Sequence, residues 1–73
     1  MDERETIPPG VAIAVWAYRA ANLDAQRTFR EYSAACRRGD GPATASLEKE
    51  RERRRATLDH ARTALNEAVG AWV

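Results

Sequence analysis

The only cysteine, Cys36, and the only histidine, His60, are the one pair in this chain whose types could make a nucleophile and its base. A thiolate beside an imidazole attacks electrophilic carbon or sulfur, but only with the two side chains within about 3 Å of each other. The second candidate is electrostatic. The stretch "EKERERRRA", residues 48–56, holds five basic and three acidic side chains among nine. Clustered arginines can contact several phosphates or an acidic protein surface. A third is the tripeptide Arg38-Gly39-Asp40, known as a cell-adhesion signal. Other chemistries lack their residues. One cysteine and one histidine are too few for the usual four-ligand zinc site. There is no Glu-x-x-His pair for a di-metal carboxylate bundle. "GDG" has neither the length nor the lysine of a phosphate-binding loop.

Whether any of these groups can cooperate depends on the elements that carry them. A chain of 73 residues has room for one domain and buries only about 60% of its unfolded surface, so its core is marginal. A lone cysteine excludes an internal disulfide, which leaves self-association as the way to stabilise so small a fold. Alanine, leucine, glutamate and arginine dominate and all favour helix. Breakers fall only at "TIPPG" and "RRGDGPATAS". The pattern predicts an acidic, flexible arm over 1–8 and a single hairpin domain over 9–73. Within it, helix 1 spans about 9–38, a turn 39–42, and helix 2 about 43–71. Gly39 can take the left-handed position that ends a helix; Pro42 cannot continue a helix but can open the next at its first turn, and Thr44 or Ser46 could cap that helix instead.

A short turn between long helices makes an antiparallel pair. Steps of four and three give a seam in helix 1 of Val11, Val15, Tyr18, Asn22, Ala25, Phe29, Tyr32 and Cys36. In helix 2 they give Leu47, Arg51, Arg54, Leu58, Ala61, Leu65, Ala68 and Trp72. Folding at the turn sets Ala25 near Leu58 and Val11 near Trp72. Arg51 then lies over Tyr32 and Arg54 over Phe29, with ion pairs expected for Glu50–Arg54, Arg55–Asp59, Glu48–Arg51 and Glu52–Arg55. The same register puts His60 opposite Leu23, about 20 Å along the axis from Cys36, so the two cannot act together. Cys36 reads as a small packing residue, Asn22 as a seam-edge residue bonding to water, and Arg38-Gly39-Asp40 as a turn.

The anomaly is the start of helix 1, which is apolar nearly all round. Ile13, Trp16, Ala20 and Leu23 form a second stripe on the side away from the seam. Helix 2 can cover only one side. The stripe is also close to symmetric about Tyr18: Ile13 and Leu23 are equidistant from it, as are Trp16 and Ala20, which is the self-complementarity a two-fold contact demands. The expected architecture is therefore all-α: a two-helix antiparallel hairpin that dimerises into a four-helix bundle with the first helices at its centre. A helix of a different protein on this stripe is the competing partner.

Net charge is +1, but nine basic and five acidic residues lie between Arg27 and Arg55, and three basic and six acidic outside it. The candidate partner-binding tip is Arg30, Arg37, Arg38, Arg51, Arg53, Arg54 and Arg55. Interleaved glutamates and the absence of an exposed aromatic platform make nucleic acid a secondary reading for it, alongside an antitoxin-like role. The apolar run "VAIAVWAY" follows an acidic segment and is too short to cross a bilayer, so neither a signal peptide nor a membrane association is expected. A free cysteine fits a reducing cytoplasm. Eleven arginines against one lysine, with abundant alanine, fit a GC-rich bacterial genome. The outline is similar to the small helical hairpins of the type VII secretion class, but those carry Trp-x-Gly in the turn and this chain does not. The functional expectation is a small non-enzymatic interaction module, with no cofactor and no metal.

Overall fold

The structure is a computed structural model that describes residues 6–73. Two helices, α1 (Pro9–Arg38) and α2 (Gly41–Trp72), pack against each other as a rod of 56 × 19 × 12 Å. Most of the acidic arm expected at the N-terminus lies outside the described residues.

Helix α1 opens with Pro9, whose missing N–H costs nothing in a first turn. The Val11 and Ala12 amides both donate to the Pro8 carbonyl at 3.0 Å. At its other end Arg37 and Arg38 complement the negative end of the helix dipole. Gly39 then takes the left-handed conformation, φ 70° and ψ 24°. Its amide donates to the Cys36 carbonyl and the Asp40 amide to the Ala35 carbonyl, each at 3.1 Å, which is a Schellman motif.

Pro42 falls in the first turn of α2, as the sequence allows, but the cap and the starting residue differ from the expectation. The cap is Asp40, not Thr44 or Ser46: its carboxylate accepts from the Ala43 amide at 3.2 Å, and its carbonyl from the Thr44 amide at 2.9 Å. Gly41 and Pro42 therefore belong to the first turn, and the helix begins two residues earlier than the breakers suggested. A proline there forfeits no bond, because first-turn amides have no helical acceptor. The tripeptide Arg38-Gly39-Asp40 thus ends one helix, turns the chain and caps the next.

The packed seam holds a larger correction. In α1 the buried residues are Val11, Ala14, Ala21, Thr28 and Ala35, with Tyr18, Ala25 and Tyr32 half-buried between them. The expected seam shares Val11, Tyr18, Ala25 and Tyr32 with this row. At every other position it is one residue off: Ala14, Ala21, Thr28 and Ala35 face α2, where Val15, Asn22, Phe29 and Cys36 were expected. Val15 and Phe29 stand 45% and 53% exposed, and Cys36 is exposed. Small side chains win the inner row because they let the two backbones approach closely, and the only hydroxyl among them is satisfied. Thr28 Oγ1 donates to the Asp24 carbonyl at 2.9 Å. In α2 the expected row does face the seam. Ala61 is buried, and Leu47, Arg51, Arg54, Leu58, Leu65 and Ala68 are half-buried; Trp72, at the end, is exposed.

Candidate interaction surfaces

The register of the hairpin can be read from three levels. Arg51 lies over Tyr32, its guanidinium carbon 4.6 Å from the ring centre. Ala25 and Leu58 line one groove of about 460 Å³, and Val11 and Trp72 another of about 380 Å³ at the open end. This is the alignment the sequence predicts. It also fixes which surfaces remain free.

The first is the outer edge of α1. Ile13, Trp16 and Leu23 are 69%, 68% and 54% exposed, and Ala20 between them is exposed as well. At about 100° per residue, Trp16 and Leu23 point almost directly away from α2. Arg19 lies over Trp16, its guanidinium carbon 5.8 Å from the ring centre. This polar neighbour shields one ring face and leaves Ile13 and Leu23 bare.

The second is the tip. Arg30, Arg37, Arg38, Arg53 and Arg55 are exposed, whereas Arg51 and Arg54 are half-buried and engaged within the hairpin. Arg51 covers two rings, Tyr32 and Phe29, the latter at 5.2 Å. Arg54 does not reach Phe29 as expected. Its Nε lies 2.9 Å from a Glu50 carboxylate oxygen in an ion pair, and its Nη1 lies 3.8 Å from Asp24 on α1. The corrected seam explains this: Phe29 sits on one broad face of the hairpin, and Asp24 and Glu50 border the other. Arg53 pairs with Glu50 at 3.5 Å, and Arg27 pairs with Asp24. Of the four pairs expected from spacing, Glu50–Arg54 forms. Arg55–Asp59, Glu48–Arg51 and Glu52–Arg55 do not come within 4.0 Å among the described residues.

Cys36 and His60 are both exposed and lie at different levels of the rod. The thiol sits beside the Tyr32 hydroxyl. It holds that phenol above its ordinary pKa, with Glu48 adding to the effect and Arg51 opposing it. No group of three His, Cys, Asp or Glu side chains that could hold a metal occurs among the described residues, and no helix among them is long and apolar enough to cross a membrane. The sequence reading missed the broad face that carries Val15 and Phe29, because it had assigned both residues to the seam. No protein-family profile, curated protein or solved structure matches the chain.

Proposed function

We propose that this chain is a small, non-enzymatic, cytoplasmic interaction module that self-associates through α1 and offers its arginine-rich tip to a partner. The observation that carries the reading is the bare edge formed by Ile13, Trp16, Ala20 and Leu23. Among the described residues the buried apolar side chains are Ala14, Ala21, Ala35, Ala61 and one larger aliphatic, Val11. Covering a tryptophan, an isoleucine and a leucine from each copy, at about 1.5–3 kcal/mol per side chain, adds as much as a marginal fold of this size needs. The near-symmetry of the edge about Tyr18 favours a second copy in antiparallel orientation. Because the edge points away from α2, such a dimer is a row of four helices with the two α1 helices in the middle. The tips stay at the outside, where Arg30, Arg37, Arg38, Arg53 and Arg55 remain available to an anionic partner.

The test is Trp16→Arg, read by light scattering and thermal melting at tens of micromolar protein. The variant is expected to lose one copy-to-copy contact, with a lower mass and a lower Tm. Unchanged mass and melting would sink the proposal.

A further inference from the structure

Half of the apolar stripe of α1 does not face α2. Val15, Asn22, Phe29 and Cys36 recur every seven residues, each one step beyond the inner row of Ala14, Ala21, Thr28 and Ala35. One residue is about 100° on a helix, so the stripe as a whole is turned by about 50° from the direction of α2. A helix in a two-stranded pair aims its stripe straight at its partner. In a square bundle each helix aims at the common axis, about 45° off each neighbour. Helix α1 is thus patterned for a further layer lying on the broad face of the hairpin. That face carries Val15 and Phe29 from α1, with Leu58, Leu65 and Trp72 from α2. Val15, Phe29 and Trp72 are 45%, 53% and 43% exposed.

Two features say what the layer is. The observed register places the level between Ala21 and Asn22 beside the level between Ala61 and Arg62. About this one level the residues pair by distance along both helices: Tyr18 with Ala25, Leu58 with Leu65, Arg51 with Trp72, and, to within one residue, Val15 with Phe29. A two-fold axis there sets each against its counterpart in a second copy, large against small for Tyr18 and Ala25, cation against ring for Arg51 and Trp72. The charges agree. Among the described residues, the half near the turn has nine basic and five acidic residues, and the remainder two basic and three acidic. Turns at opposite ends lay the basic half of one copy on the acidic half of the other; turns at the same end would oppose like charges.

We infer that this broad face binds a second copy of the chain, face to face, with the two turns at opposite ends and Asn22 close to the axis. The surface is separate from the Trp16 edge, so occupation of both assembles more than two chains. Light scattering on the full chain, Phe29→Glu, Trp16→Arg and the double variant tests it, with circular dichroism to follow helix content; Val15→Glu serves as a second break. The full chain should exceed a dimer, each single variant should fall to a dimer, and the double variant to a monomer. A Phe29→Glu variant, folded and with the mass of the full chain, overturns the inference. So does a full-chain dimer that only Trp16→Arg dissolves. A dimer that only Phe29→Glu dissolves upholds it and removes the edge contact instead. The axis has its own check: Asn22→Cys in a Cys36→Ser background should give a disulfide-linked pair on air oxidation, lost when Phe29→Glu is added. No linked pair, or one indifferent to Phe29→Glu, overturns the arrangement.

Discussion

The two helices bring opposite materials to the seam they share. Helix α2 turns Leu47, Leu58 and Leu65 toward it, with Ala61 buried among them. Helix α1 answers with Ala14, Ala21, Thr28 and Ala35, and keeps Val15, Trp16, Leu23 and Phe29 outside. Large side chains of one helix settling over small ones of the other is good packing. It is also an uneven division of labour. An alanine methyl contributes about 0.8 kcal/mol when buried, a fully buried leucine about 1.5–3. Within one chain neither helix reaches the larger figure: Leu47, Leu58 and Leu65 are only half-buried, and what is buried is chiefly alanine, with Val11 of α1. Ile13, Val15, Trp16, Leu23 and Phe29 of α1 can gain full burial only from whatever lies outside the hairpin. The fold and the assembly are stabilised by different faces of the same helix.

The strongest way to break that contrast is to add bulk to the inner row. Ala21→Leu forces side chain into a space closed by α2, and overpacking of this kind costs about 1–3 kcal/mol. In a chain of this length each kcal/mol lowers Tm by roughly 4–8 °C. Ala20→Leu, one residue earlier and on the exposed edge, should change stability by less than about 0.5 kcal/mol when both variants are compared in the Trp16→Arg background, where no second copy covers the edge. Melting curves of the two variants compare the same substitution about 100° apart on one helix. Equal effects would show that the small-residue row is not what faces α2.

The same contrast explains what was legible in the sequence. Helix lengths, the antiparallel pairing and the row in α2 could be read because composition, breakers and leucine spacing all agree there. In α1 they conflict. A search for heptads follows large apolar residues, and these run along Val11, Val15, Tyr18 and Phe29. The inner row is written in alanine and threonine, which carry almost no hydropathy signal, so every second position was placed one residue away. The bare edge of Ile13, Trp16 and Leu23 was legible because three large residues on the far side leave no ambiguity. The cap was misplaced for another reason. Asp40 looked like part of the turn; Pro42 does sit in the first turn of α2, as the sequence allows, and that leaves the cap upstream of it at Asp40.

The turn offers a test of intermediate size, because its two halves satisfy the two helices differently. Helix α1 ends through backbone alone, at a left-handed Gly39 with φ 70°; α2 begins through the Asp40 side chain. A Cβ at Gly39 would meet nothing within 4 Å, so any cost of Gly39→Ala is conformational, not steric. It should be about 1 kcal/mol, read as a lower Tm with unchanged mass. Since no contact is lost, the loss should be the same in the assembled chain and in Trp16→Arg. A larger penalty in one of them would tie the turn to the assembly.

The smallest expected effect separates the two half-buried arginines. Arg54 works by charge, paired with Glu50 at 2.9 Å and Asp24 at 3.8 Å, all three side chains being partly open to solvent. Such pairs are worth about 0–1 kcal/mol and are screened by salt. Arg51 works by cover, its guanidinium 4.6 Å from the Tyr32 ring centre and 5.2 Å from that of Phe29. Part of that contribution, about 0.5–1 kcal/mol, is the packing of an arginine on aromatic faces, which salt screens less. Arg54→Ala should therefore lower Tm slightly at low salt and hardly at all at high salt, while Arg51→Ala should lower it by a similar amount at both. The distinction follows from where the corrected seam puts Phe29. Had Phe29 faced α2 squarely, Arg54 would have lain over it, and the two variants would respond to salt alike.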